Sequence, residues 1–195
     1  MNTRTAVLFS LMLSLLIACG SRDKADETAN PQKKQHNPIV LSADGVGPIN
    51  ASTPFNMHQI TRAFQDYSVT EYRQFQSGNA EPVIRISEAG KPLILINPDA
   101  DQKGIFSVFV MSNKIGNALG HDIGTPFNKI YTYDTTEPCI AGTEEFTGKV
   151  LCIAPSAQNI LYVFSGKWDG PNNEVPPAAI LASWVLDTIV WKPDI

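Results

Sequence analysis

The sequence is short of the features that most directly announce a chemistry. Its 195 residues hold three histidines and three cysteines. None falls in a His-Glu-x-x-His or Cys-x-x-Cys spacing, so neither a protein-built zinc centre nor a dithiol redox motif has support. The Gly-x-Ser-x-Gly, P-loop and dinucleotide-binding glycine patterns are missing as well. Basic residues are outnumbered, 15 against 19, for a formal net charge of −4. A phosphate backbone demands a basic face, so nucleic acid is not an expected partner. Nor is there an apolar run of about 20 residues, the length that a membrane-spanning helix needs.

The chain does have a shorter apolar run. Ala6 to Ala18 follows Arg4, is interrupted by Ser10 and Ser14, and closes on Leu16-Ile17-Ala18-Cys19. That length fits the core of a cleavable export signal. Small residues followed by a cysteine read as a bacterial lipoprotein signal, with residues 1–18 removed and acyl chains attached to Cys19. The rival reading is an ordinary signal cut near Ala18, with Cys19 left unmodified. Gly20 behind the cysteine, rather than Asp, points to the outer membrane under the enterobacterial sorting rule.

Residues 19–43 carry almost no large apolar side chains before Ile39. They cannot bury enough surface to offset their ordering entropy and read as a tether. A flexible chain of this length spans roughly 25–30 Å between its ends. Residues 44–195 then form one globular domain, long enough for a real core. Residues 1–43 hold five of the basic and three of the acidic residues, which leaves 10 basic and 16 acidic, a formal −6, for the domain. An acidic domain is poorly suited to anionic lipid, so the acyl anchor is the expected membrane contact. With Cys19 assigned to the anchor, Cys139 and Cys152 remain. An isolated pair in an exported protein reads as a structural disulfide. A zinc site would need further ligands at suitable spacing, and none is present.

Most of the domain reads as short strands: 82–87 and 92–96 around a turn at 88–91, then 104–110, 149–153 and 160–164 around a turn at 155–159, and 184–191. β-branched and aromatic enrichment with short turns predicts a mainly β fold, antiparallel sheet or sandwich, with two or three short helices; α+β is the alternative. Several strands are apolar on both faces, as in a sandwich or a sheet covered by helices. Thr53-Pro54-Phe55-Asn56 predicts a threonine-capped helix with proline at its first position, and Met57, Ile60, Phe64 and Tyr67 form its apolar stripe. The same tetrapeptide returns at Thr125-Pro126-Phe127-Asn128, again behind a Gly- and Ile-containing stretch. Duplication of a unit and convergent cap chemistry both account for this. A third short helix is expected from Pro176-Pro177 to about Ser183.

Candidate chemistry is sparse. His36 lies in the tether, and His58 falls just off the apolar stripe, where solvation is the default. His121-Asp122, flanked by glycines, could do acid–base work only beside a positioned nucleophile; otherwise it is a turn. Glu144-Glu145, between the two domain cysteines, reads as a solvated charge pair. The most site-like stretch is Phe164-Ser165-Gly166-Lys167-Trp168-Asp169-Gly170-Pro171. Trp168 and Asp169 offer a binding platform, or Trp168 folds back as a lid on the core.

These segments together resemble one family. Gly45-Val46-Gly47-Pro48-Ile49 with Thr53-Pro54-Phe55, Thr125-Pro126-Phe127-Asn128 after Ile123-Gly124, the Cys139/Cys152 pair, the Trp168 stretch and the Ile189-Val190-Trp191 ending are similar, in this order, to the lipoproteins named for regulation by the envelope-stress factor RpoE (sigma-E). The resemblance covers most of residues 44–192. It implies a Gram-negative envelope protein with a mainly β fold. It carries over no catalytic residue and no cofactor. The expectation is a non-enzymatic lipoprotein at the periplasmic face of the outer membrane, binding an envelope protein or ligand. The alternative is a small envelope hydrolase built on His121/Asp122.

Overall fold

The computed structural model describes residues 38–76, 79–132 and 139–193. The signal, Cys19, His36 and the tether up to residue 37 lie outside the described residues. The chain order is β1 (Val40–Ser42), β2 (Gly45–Val46), β3 (Ile49–Asn50), α1 (Met57–Ala63), β4 (Ser68–Gln76), β5 (Asn79–Glu88), β6 (Lys91–Pro98), β7 (Ile105–Val110), β8 (Gly116–Asn117), β9 (Cys139–Ala141), β10 (Val150–Ala154), β11 (Ala157–Ser165), α2 (Ala178–Leu181) and β12 (Val185–Trp191). The fold is mainly β, as expected. A large sheet runs β4-β5-β6-β7-β12-β11-β10-β9 and a small one β3-β2-β1-β8. Every pairing in the large sheet is antiparallel. In the small sheet β1 pairs with β2 antiparallel and with β8 parallel.

The two sheets share one core. Leu41, Val46 and Ile49 of the small sheet cluster with Ile84, Ile94, Val108, Ile160, Tyr162 and Trp191 of the large one. Residues 39–42, expected in the tether, therefore belong to the domain: Ile39 and Leu41 are apolar enough to be buried, and Val40–Ser42 is paired on both sides. Alternation along each strand sends every second side chain inward. The hairpin between β5 and β6 turns through Ala89 and Gly90, both at positive φ, the conformation that a two-residue loop needs to match strand twist. The turn between β10 and β11 is tighter than expected: β11 already begins at Ala157, with Ser156 at positive φ, so residues 157–159 are strand rather than turn.

The first helix starts later than the sequence implied. Its N-cap is Asn56, whose side chain accepts from the Gln59 amide, rather than Thr53. Pro54 is held in an antiparallel bridge with Gly104, and the Phe55 amide donates to the Lys103 carbonyl (2.8 Å), so this segment is spent on the sheet. The second Thr-Pro-Phe-Asn does the same at the other half. Pro126 bridges Val185, and the Phe127 amide donates to the Trp184 carbonyl (2.8 Å). There the chain makes only a 3-10 turn, Phe127–Lys129, without a side-chain cap. The two tetrapeptides thus dock at the starts of β7 and β12, neighbours at the centre of the large sheet. Its halves, β4 to β7 and β9 to β12, are laid out in mirrored order about that junction. Shared position with different capping favours duplication over convergent caps.

Candidate functional site

The Trp168 stretch leaves β11 and folds back along the domain. Glycine is required at two points in it because indoles lie against the backbone. A Cβ on Gly166 would stand 2.2 Å from Trp184 Cδ1, and one on Gly170 would stand 2.1 Å from Trp168 Cζ2. Trp168 is half-buried and packs against the core, while Asp169 is exposed. Between Trp168 and Trp184 lies a cavity of about 320 Å³, ringed by Lys149, Lys167, Asp169 and Glu174. Trp168 is therefore both a partial lid on the core and the wall of a cavity. Trp184 is only 4% exposed, and its indole nitrogen has no hydrogen-bond partner among the described residues.

A larger cleft, about 540 Å³, opens on the face of the large sheet turned away from the small one. Its floor is the second apolar face of the strands. Phe109 stands opposite Val190, which stands opposite Leu161, with Val83 and Leu151 on either side. Val83 and Val190 are buried yet lie outside the core cluster. Phe146 closes one wall, its ring centre 5.4 Å from that of Phe109. The rim carries Glu81, Asp99 and Glu145, and one cation, Lys192, whose Nζ sits 4.2 Å from the centre of the Phe106 ring. Asp99 is tied to its own turn by the Lys103 and Gly104 amides (3.0 and 2.9 Å), and Glu81 accepts from Gln102 (3.1 Å). The sequence reading did not single this cleft out. Its one sequence signal was the doubly apolar strands, which in this sheet serve a core on one face and a cleft on the other.

Cys139 and Cys152 are disulfide-bonded, directly opposite each other on β9 and β10, with Cα atoms 4.2 Å apart. The bond closes the loop that carries Glu144, Glu145 and Phe146, so it fixes the root of the cleft's wall. Glu144 and Glu145 are exposed there. His58 is exposed on α1.

His121 meets a hydroxyl, but it is the phenol of Tyr162. Tyr162 Oη lies 3.2 Å from His121 Nδ1 and accepts from Asn117 Nδ2 (3.0 Å), which also donates to the His121 carbonyl (2.7 Å). The two rings meet edge to face, 5.7 Å apart. Tyr162 is fully buried. Burial lowers the His121 pKa below its ordinary value, with Asp122 opposing weakly, and burial raises that of Tyr162. The imidazole is therefore held neutral, with Nδ1 engaged in satisfying a buried phenol. Asp122 points to solvent. Among the described residues, no group of three His, Cys, Asp or Glu side chains could hold a metal ion.

A family model described as "Protein of unknown function (DUF1131)" matches residues 27–193. The chain is 28% identical over 188 residues to "Uncharacterized protein YfeY" of Escherichia coli (strain K12), which covers 95% of this chain and 97% of that protein. The crystal structure of the uncharacterized protein YfeY from Escherichia coli superposes with a TM-score of 0.66, covering 80% of this chain and 99% of that one.

Proposed function

The chain belongs to the DUF1131 family, proteins of unknown function, and from that premise we propose that it is a lipid-anchored envelope protein that works by binding rather than by catalysis. Residues 1–18 act as the signal, acylated Cys19 as the anchor in the outer membrane, residues 20–37 as the tether, and the chain from residue 38 onward as a periplasmic domain, since Ile39 and Leu41 are buried in its core. The apolar run ending at Cys19 and the resemblance to RpoE-regulated lipoproteins support this placement and a role in envelope stress. Among the described residues, no helix is long and apolar enough to cross a membrane.

The cleft on the open face of the large sheet is the binding site. One observation carries this reading: Val83, Phe109, Leu151, Leu161 and Val190 line a face on which, among the described residues, no second sheet packs, and Phe146 roofs it only in part. Ligand sites are concave and mostly apolar, with a few polar groups on the rim. Here the rim carries three carboxylates, and its lysine rests on an aromatic ring. That chemistry suits an apolar segment bearing positive charge, offered by an envelope protein. The cavity beside Trp168 is the second reading, favoured by the unpartnered indole N–H of Trp184.

Site-directed photo-crosslinking in intact envelopes separates these readings. A photoreactive side chain at Phe106, on the cleft rim, should give a discrete adduct several-fold above that from exposed Lys129. An adduct confined to position 168 would move the site to the Trp168 cavity. Equal background labelling at all three positions would remove the binding reading. The hydrolase alternative rests on His121/Asp122, and ester hydrolysis that Tyr162→Phe spares and His121→Ala abolishes would revive it.

A further inference from the structure

The large sheet ends in two unlike edges. β9 is three residues long and fastened by the disulfide. β4 is nine residues long and pairs with β5 at every position from Ser68↔Ser87 to Gln76↔Asn79 without a register shift. Among the described residues, no strand covers its other side. Proteins blunt such edges with proline, charged side chains, bulges or shortness; Ser-Val-Thr-Glu-Tyr-Arg-Gln-Phe-Gln is long and regular, has no proline or lysine, and carries one charge of each sign, Glu71 and Arg73. Phe75, near its end, is 80% exposed, the highest value among the large apolar side chains of the described residues.

The strand is also complementary to itself. With a two-fold axis through Tyr72, an antiparallel copy sets Glu71 opposite Arg73 and Arg73 opposite Glu71. The same register places Val69 opposite Phe75, Thr70 opposite Gln74 and Tyr72 opposite its own equivalent. Directly opposed residues share a face, so Val69, Glu71, Arg73 and Phe75 lie together on one side and Thr70, Tyr72 and Gln74 on the other. Shifting the axis to Glu71 would oppose two glutamates, and shifting it to Arg73 would oppose two arginines, both destabilising. Arg73 is already held at the sheet by donating to the Ala80 carbonyl (3.0 Å), and Tyr72 is backed by Arg85, 5.3 Å from its ring centre. Val69 packs against the core, so it offers Phe75 of the copy a fixed apolar partner.

We propose that β4 is a homodimerisation edge: two copies of this chain pair β4 to β4, antiparallel about Tyr72, and join their large sheets into one. This isologous contact follows from charge and shape complementarity of a single strand with itself, and it does not depend on what occupies the cleft.

The test uses the purified full chain in detergent, carrying Cys19→Ser so that an introduced cysteine reacts without interference from position 19. Under mild oxidation Tyr72→Cys should yield a disulfide-linked dimer at least tenfold more efficiently than Thr70→Cys, because only position 72 faces itself. Thr70→Cys combined with Gln74→Cys, which keeps Tyr72, should link as well as Tyr72→Cys. Glu71→Arg alone should reduce dimer recovered by light scattering, and Glu71→Arg with Arg73→Glu should restore it. Linking at position 70 equal to that at 72, or a monomer at every concentration with no linking at 72 or at 70/74, overturns the proposal.

Discussion

His121 shows what a buried neighbour does to a residue that reads as chemistry. Beside Asp122 in a glycine-flanked turn it has the look of half a catalytic pair, yet its Nδ1 is committed to the phenol of a tyrosine that no water reaches. An unpaired Tyr162 hydroxyl would cost about 1–3 kcal/mol in a dry core, and His121 with Asn117 removes that cost. The same environment makes the fold pH-sensitive. Since the folded-state pKa of His121 lies below its unfolded value near 6.5, the unfolded chain takes up a proton first on acidification. Stability should therefore be full above that value and fall as pH drops through the ordinary histidine range, levelling off once the folded state is protonated too. Denaturant midpoints across this range check it, and His121→Gln should flatten the slope; an unchanged slope would assign it to other groups. Gly166 and Gly170 teach a related lesson. Their glycine identity was visible, but the reason for it was not: at Gly166 it is the indole of Trp184 from a later segment, and at Gly170 the local fold-back of Trp168.

Among the elements, the apolar strands were legible and the polar ones were not. β5, β6, β7, β10, β11 and β12 all stand where runs such as Pro92-Leu93-Ile94-Leu95-Ile96 placed them, because burial on two faces leaves a continuous apolar signature. β4 escaped notice. Its nine residues alternate polar and mixed side chains, and only pairing with β5 makes it a strand. α1 was legible only in part: Met57 and Ile60 lie on it, but it ends at Ala63, so Phe64 is its C-cap and Tyr67 lies beyond it, and its start was displaced because the sheet claims Pro54 and Phe55 first. The disulfide was legible by arithmetic, though its place opposite the cleft floor was not. Closing a loop with a sequence separation of 13 should be worth about 3 kcal/mol through the unfolded chain. Cys139→Ala with Cys152→Ala should lower stability by about that amount in urea melts. It should also weaken capture at the cleft, since the loop bearing Phe146 loses its fastening. Retained stability would mean that the loop is held by packing alone.

For the molecule as a whole, the proposed anchor rests on a single residue. Cys19→Ser should block lipid-signal processing, abolish metabolic acyl labelling and leave an unprocessed precursor; labelling that persists would refute the lipidated N-terminus. By itself the sequence determined the mainly β class, the disulfide pair, the acidic domain and the expectation of an anchored tether, because these follow from composition, short-range periodicity and counting. Only the tertiary structure decided that the doubly apolar strands leave one face as a cleft, that Trp168 walls a cavity while covering the core, that His121 serves Tyr162, and that β4 is the last strand of the sheet among the described residues. Each of these depends on which distant segments meet, such as β7 with β12 or Gly166 with Trp184, and non-local contact leaves no periodic trace in the chain that makes it.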